Sequence, residues 1–198
     1  MSIPVSYPAR LDFSADYHMA RWRPLVNWLL AIPQLLVAGA LGYLRSALTL
    51  VSLITVLFTE EIPRPVFDAM AMCYRYEWRA VSYALFLHED YPPFDFATSA
   101  GDDRMEPHTA VDFDYPEQLN RWAPLYKWFL AVPHYFVLLA LWIGAVGVLV
   151  FGVIAVLVSA EYPHGARDYL VDVYRYGLRV QAYVGLLTDR YPPFTLGA

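Results

Sequence analysis

Five histidines are the side chains of this sequence best suited to bind a metal or a haem. His134 is the only one close to a long apolar stretch, and a haem held between helices usually needs two axial ligands. The matching position one hundred residues earlier is Gln34, so a bis-histidine site is not available. The remaining histidines are His18, His88, His108 and His164. They show no metal-ligand spacing with one another or with carboxylates, so we expect no metal and no cofactor.

Acidic residues beside the apolar stretches are the candidates for acid–base catalysis. They are Glu60, Glu61, Glu161, Asp168 and Asp172. None of them has a nucleophile, a base and an orienting group at a recognisable spacing. Helix capping or pairing with nearby arginines explains their presence, and we therefore predict that the protein is not an enzyme.

Hydroxyl side chains recur every three residues in the first apolar stretch, at Ser46, Thr49, Ser52 and Thr55. A channel or transporter needs a polar path through the hydrocarbon layer, and one hydroxyl-lined helix face could contribute to it. The favoured alternative is that these small side chains pack and hydrogen-bond between helices.

The segments that carry these residues repeat at a constant offset of one hundred residues. Residues 21–33 return in closely similar form as 121–133, and the Tyr-Pro-Pro-Phe at 91–94 returns at 191–194. Such self-similarity indicates two copies of one structural unit. The predicted boundaries are 1–96 for the first unit, 97–110 for a polar linker and 111–198 for the second unit.

The composition is that of a membrane protein. The mean hydropathy is +0.35, and 58% of residues are hydrophobic while only 17% are charged, against roughly a quarter charged in an average soluble domain. The net charge of −5 argues against nucleic acid as a partner. Cys73 is the only cysteine and permits no internal disulfide.

The apolar stretch over 25–58 is too long for one membrane span of roughly 20 residues and sufficient for two short ones. Arg45 would cost roughly 2.5 to 3.5 kcal/mol at the centre of one long span, which favours a hairpin with Arg45 at its tip. In the second copy Gly144 and Gly147 suit the same turn, although a segment ending at Pro133 followed by one long span is the alternative there. The predicted spans are 25–44, 47–60, 125–142 and 146–160.

Positive charge sets the predicted orientation. Of the 14 Lys and Arg residues, all except Arg45 lie away from the hairpin tips, and by the positive-inside rule that side is cytoplasmic. Four spans then make a multi-pass protein of the inner (plasma) membrane with both termini in the cytoplasm. The two units would be parallel repeats about an axis along the membrane normal.

Each hairpin is followed by an amphipathic helical pattern, over 65–88 and 165–187. One polar stripe runs along each of these helices and contains Arg75, Arg79, Arg175 and Arg179. Such helices are expected to lie in the interface, with the arginines facing lipid headgroups, a soluble partner or loops of the same fold. Four tryptophans are predicted interfacial anchors, namely Trp22, Trp28, Trp122 and Trp128.

Several motifs of the second unit resemble the bacterial, often actinobacterial, membrane family DUF4389, a domain of unknown function. They are Leu-Ala-Val-Pro-His at 130–134, Tyr-Pro-His-Gly at 162–165, Arg175, Arg179 and Tyr-Pro-Pro-Phe at 191–194. The first unit is a divergent copy. The resemblance implies a helical membrane protein with duplicated units and implies no activity.

The predicted fold is an all-α integral membrane protein of two tandem repeats. Each repeat has a transmembrane helical hairpin and an interfacial amphipathic helix. Polar and apolar residues alternate over 5–13 and 111–115, and we expect these two segments to pair as short β strands on the cytoplasmic face. We expect a non-catalytic accessory or scaffold subunit of a larger membrane complex, in contact with lipids and partner subunits. Lipid handling by the arginine stripes and a small channel are the alternatives. Function should lie where the copies differ, led by Arg45 against Ala145 and His134 against Gln34.

Overall fold

A computed structural model describes residues 7–99 and 101–197 of the chain. Its elements, in order, are β1 (Ala9–Phe13), α1 (Arg23–Thr59), α2 (Arg64–Ala84), β2 (Thr109–Phe113), α3 (Ala123–Leu130), α4 (Val132–Ser159) and α5 (His164–Val184). The expected organisation as a mostly helical chain of two tandem units is confirmed. The two strands pair antiparallel, so the expected small β element is present as well.

The predicted hairpins are wrong. α1 is one helix of 37 residues that continues through Arg45, and α4 is one helix of 28 residues that continues through Gly144 and Gly147. Glycine inside a helix costs only about 1 kcal/mol, which the long apolar contact of α4 with α5 can offset. The second unit instead follows the alternative, a short α3 and then one long helix. Among the residues that the structure describes, two helices, not four, are long and apolar enough to cross a membrane.

The two amphipathic helices lie where the sequence predicts them, but they are buried rather than interfacial. α2 and α5 run side by side in opposite directions through the centre of the fold. The Trp78 ring of α2 lies 4.3 Å from the Tyr174 ring of α5, and the Tyr74 hydroxyl donates to the Gln181 carbonyl at 3.3 Å. Large aromatic side chains therefore fill the space between the two helices.

Three layers result from this packing. α1 packs along α2 and α4 packs along α5, while the sheet contacts α2 and α5 and neither long helix. Glu77 of α2 points to α1 and Arg75 points to β2. Because successive helical residues are about 100° apart, these two side chains leave α2 on nearly opposite faces. The sheet and the long helices are therefore on opposite sides of the central pair.

An approximate twofold axis relates the two units. Leu11 pairs with its own counterpart, Val111, at the centre of the β1–β2 ladder. Arg75 donates from Nε to the Val111 carbonyl at 3.0 Å, and Arg175 makes the equivalent bond to the Leu11 carbonyl, also at 3.0 Å. A twofold axis through the centre of an antiparallel pair runs perpendicular to the sheet. It therefore places α1 and α4 on the same side of the molecule.

Candidate functional site

The arginine stripe of the first unit is buried against loops of its own fold. Arg75 and Arg79 are 4% and 2% exposed. Arg75 donates from Nη1 to the Ser99 carbonyl at 2.9 Å, and Arg79 forms ion pairs of 2.8 Å with both Asp95 and Asp102. Burial lowers the pKa of Arg75. The hydrogen bond from Arg79 holds the pKa of Asp95 below its usual value.

The arginine stripe of the second unit is likewise held by groups of its own fold. Arg175 bonds to Asp172 at 2.6 Å as well as to strand β1. Arg179, which is 5% exposed, donates to the carbonyls of Thr195 and Gly197 near the C-terminus. Of the three predicted surroundings of the stripes, the structure shows loops of the same fold. The expectation of headgroup contact is wrong for Arg75, Arg79 and Arg179, because their guanidinium groups are inside the protein.

Arg45 does not lie at a hairpin tip. It lies in the middle of α1, forms an ion pair with Glu77 of α2 and has its Cζ 4.3 Å from the centre of the Tyr74 ring. It also lines a shallow cavity of about 310 Å³ between the units, together with Tyr135 and Gln181. Glu77 neutralises the charge of Arg45 within the protein. From the sequence we expected that charge to lie in the far headgroup layer.

Gln34 and His134 make the same contact in their two units. The Tyr76 hydroxyl donates to Oε1 of Gln34 at 2.5 Å, and the Tyr176 hydroxyl lies 2.6 Å from Nδ1 of His134. His134 also stacks on Phe194 of the second Tyr-Pro-Pro-Phe segment, with 4.1 Å between ring centres. Both side chains are buried, and each connects the long helix of its unit to the central helix, α2 or α5.

The hydroxyls of the α1 face are bonded mainly within their own helix. Ser46 donates to the Gly42 carbonyl and Thr49 to the Arg45 carbonyl, both at 2.9 Å within the same helix. Ser52 is buried and contacts the sulfur of Met70 at 3.5 Å. These bonds favour the packing interpretation over a channel.

The four predicted anchors are exposed at the beginnings of α1 and α3. The exposed fractions are 53% for Trp22, 56% for Trp28, 61% for Trp122 and 59% for Trp128. The indole rings thus point away from the protein, as anchors would, and their membrane role stays a prediction.

The structure also assembles a cluster that spacing did not reveal. One ring nitrogen each of His88 and His108 and one carboxylate oxygen of Glu106 lie within 4.8 Å of one another. His88 follows α2, whereas Glu106 and His108 lie just before β2. The pairing of β2 with β1, and its packing on α2, brings them together. Burial lowers the pKa of His88 to about 4.

Both units match the same family model, over residues 21–95 and 121–195, and that model is described as a domain of unknown function, DUF4389. The chain belongs to the DUF4389 family. No curated protein and no solved structure matches it. Each DUF4389 match covers the long helix, the central helix and the Tyr-Pro-Pro-Phe segment of its unit. His88 lies within the first match, whereas Glu106 and His108 lie in the connection between the two matches.

Proposed function

We propose that the protein is a non-catalytic accessory or scaffold protein that lies in the plane of one membrane leaflet and presents its sheet side to partner subunits. The observation that supports this proposal is the exposed surface of α1 and α4. Two apolar helices by themselves are only a weak indication of a membrane. Their placement on one side of the molecule strengthens it.

Only one narrow stripe of each long helix is covered by protein. In α1 the buried residues are Pro24, Asn27, Ala31, Gln34, Ala38, Ser52 and Val56, at the spacing of a single helix face. The remaining surface is apolar from Leu25, which is 64% exposed, to Phe58, which is 78% exposed. α4 is similar, with Phe136 71% and Val158 70% exposed. Apolar surface of this extent is far larger than a soluble monomer normally exposes.

The length of this surface favours an orientation in the membrane plane. At 1.5 Å per residue, the distance from Leu25 to Phe58 is about 50 Å, whereas the hydrocarbon core is about 30 Å thick. An upright α1 would leave about 20 Å of apolar surface in water. To fit between the interfaces it would have to tilt by about 50°, outside the usual range of about 0 to 40°. A helix in the membrane plane keeps its whole length in the apolar layer.

The distribution of charge leads to the same orientation. The twofold axis places both long helices on one side, and the exposed charges of the sheet, such as Arg10, Asp12 and Asp114, lie on the other. A crossing orientation would carry α2, α5 and these charges into the hydrocarbon. In the proposed orientation the sheet faces water. We place that side in the cytoplasm, at the inner (plasma) membrane.

Cysteine labelling in sealed vesicles tests the orientation. In a chain that carries Cys73→Ala, single cysteines are introduced at Asp12 on the sheet, and at Trp28 and Phe58 near the two ends of α1. We expect an impermeant thiol reagent to label Asp12→Cys from one side only and to leave both α1 positions protected from either side. Labelling of the two α1 positions from opposite sides would show that α1 crosses the membrane and would contradict the proposal.

Native purification tests the scaffold role separately. The full chain is extracted under mild detergent from its own membranes and analysed by native mass spectrometry. We expect a protein partner to remain bound, and loss of that partner when sheet-side charges Arg10 and Asp114, which pair with each other at 2.7 Å, are replaced together. A chain that is recovered only as a monomer would contradict the scaffold role and leave the orientation unaffected.

A further inference from the structure

We propose that His88, Glu106 and His108 form a zinc-binding site on the sheet side of the protein. Two imidazoles and one carboxylate are ligands that Zn²⁺ commonly takes in proteins. The three potential ligand atoms lie within 4.8 Å of one another, close enough to share one ion after small side-chain movements. The proposal is independent of the membrane orientation and of the scaffold role.

His88 has the orientation of a metal ligand. The imidazole is buried, with only 2% of the residue exposed. Its Nε2 lies 3.0 Å from the Ser82 hydroxyl, which already donates its own proton to the Arg79 carbonyl at 3.1 Å. The Ser82 oxygen therefore accepts the proton of Nε2, and Nδ1 keeps a free lone pair. Within residues 7–99 and 101–197 that nitrogen has no hydrogen-bond partner.

Both ring nitrogens of His108 face acceptors. Its Nδ1 lies 2.9 Å from the Ser14 carbonyl, which can only accept, so this nitrogen carries a proton. The other nitrogen, Nε2, lies 2.7 Å from a carboxylate oxygen of Asp90. Metal-binding histidines characteristically donate their second N–H to a carbonyl, hydroxyl or carboxylate, which fixes the ring for coordination. The bond from Nδ1 to Ser14 has this form, and coordination through Nε2 would release the proton that this nitrogen shares with Asp90.

Glu106 supplies buried negative charge. It is 2% exposed, and its two oxygens accept from the His108 backbone N–H at 3.1 Å and from the Thr109 hydroxyl at 2.6 Å. Among the described residues no Lys or Arg forms an ion pair with it. Buried charges are normally paired or coordinate metals. A divalent cation beside the two imidazoles would provide the missing countercharge.

The cluster borders the protein surface at His108. A small cavity of about 90 Å³ opens beside His108 and is lined in part by Asp12, Ser14 and Arg104. The second unit has no equivalent site, because Thr188 stands where His88 does, and Ser6 and Pro8 stand where Glu106 and His108 do. The site therefore belongs to the first unit and its connection to the second.

Zinc titration of the full chain, purified in detergent without a histidine tag, tests the proposal. We expect one Zn²⁺ per chain by elemental analysis. We also expect Co²⁺ to give the intense visible absorption of a four-coordinate site. His88→Ala and Glu106→Gln should each weaken zinc binding by at least about 10-fold, the lower end of what the loss of supporting groups costs at metal sites. His164→Ala removes a histidine that is not part of the cluster and whose ring centre lies 3.5 Å from that of Tyr17, and it should bind zinc as the original chain does.

Circular dichroism and size-exclusion profiles show whether each variant is folded. If His88→Ala does not fold, Glu106→Gln and the partly exposed His108→Ala decide the question. The proposal is overturned if the original chain retains no stoichiometric zinc. It is equally overturned if the folded variants bind zinc as tightly as the chain with His164→Ala.

Discussion

The Arg45–Glu77 ion pair offers the sharpest test of how the long helices are fastened. It joins the centre of α1 to α2, and the second unit carries Ala145 and Gly177 at the same two positions. One chain thus contains a charged and an uncharged version of a single contact. We consider Arg45→Ala, Glu77→Ala and the double variant.

The expected magnitude follows from burial. The Arg45 and Glu77 side chains are 19% and 23% exposed, so the pair is mostly shielded from water. Removing one partner of a fully buried pair costs about 3 to 5 kcal/mol, because the other charge is left uncompensated. With the residual exposure we expect about 2 to 3 kcal/mol for each single variant. The double variant leaves no orphan charge and should cost no more than the worse single variant, so the coupling energy is at least about 2 kcal/mol.

The free energy of unfolding is measured in mixed detergent micelles for the original chain and the three variants. Ser46→Ala is the matched control, because it changes the neighbouring residue of α1, whose hydroxyl bonds only to Gly42. It should change stability by less than about 0.5 kcal/mol. If the two single costs add in the double variant to within about 0.5 kcal/mol, the ion pair does not couple the helices and the reasoning is refuted.

Two further predictions concern packing and pH. A Cβ added at Gly152 would lie 2.5 Å from the Tyr162 ring, so Gly152→Ala should lower the free energy of unfolding by about 1 to 3 kcal/mol. Gly147 has open space around it, so Gly147→Ala should be neutral or mildly stabilising. For Asp95, the lowered folded-state pKa means that its ion pair with Arg79 contributes fully above the unfolded-state pKa of about 3.9. That contribution is lost as the pH falls through the lower folded-state pKa. Thermal unfolding across this acidic range should show a shallower pH dependence for Asp95→Asn, and an unchanged dependence would contradict the assignment.

Local patterns predicted much of the secondary structure. The helical periodicity after each Glu-x-Pro break, at 61–63 and 161–163, located α2 and α5 because amphipathic spacing is a property of neighbouring residues. The alternation near Leu11 and Val111 located the strands for the same reason. The one-hundred-residue offset predicted two units, and the family match over 21–95 and 121–195 confirms them.

Contacts between distant residues account for the errors. The hairpin was inferred from the insertion cost of an unpaired Arg45, and its partner, Glu77, lies 32 residues away on another helix. Likewise the sequence left open whether the arginine stripes face headgroups, a partner or loops of the same fold, because the acidic residues that pair with Arg79 come later in the chain. A local pattern shows that a helix face is polar. It does not show whether water, lipid or protein covers that face.

The proximity of His88, Glu106 and His108 was not predicted, for a related reason. Metal-site motifs are recognised by short spacings on one turn or helix, whereas His88 and His108 are brought together by strand pairing. A useful signal was present, since His88 replaces Thr188 at an otherwise repeated exit from the central helix.

The structure separates two kinds of difference between the copies. Gln34 and His134 both bond to the equivalent tyrosine, so this difference leaves the contact intact. Arg45 and Glu77 are replaced together, so a charged contact is exchanged for a small uncharged one. Compensated differences of this kind record how each unit keeps its long helix in place. The change from His88 to Thr188 comes with the loss of the whole cluster, because Ser6 and Pro8 stand where Glu106 and His108 do. A cluster that only one unit carries is where a function of that unit alone should be sought.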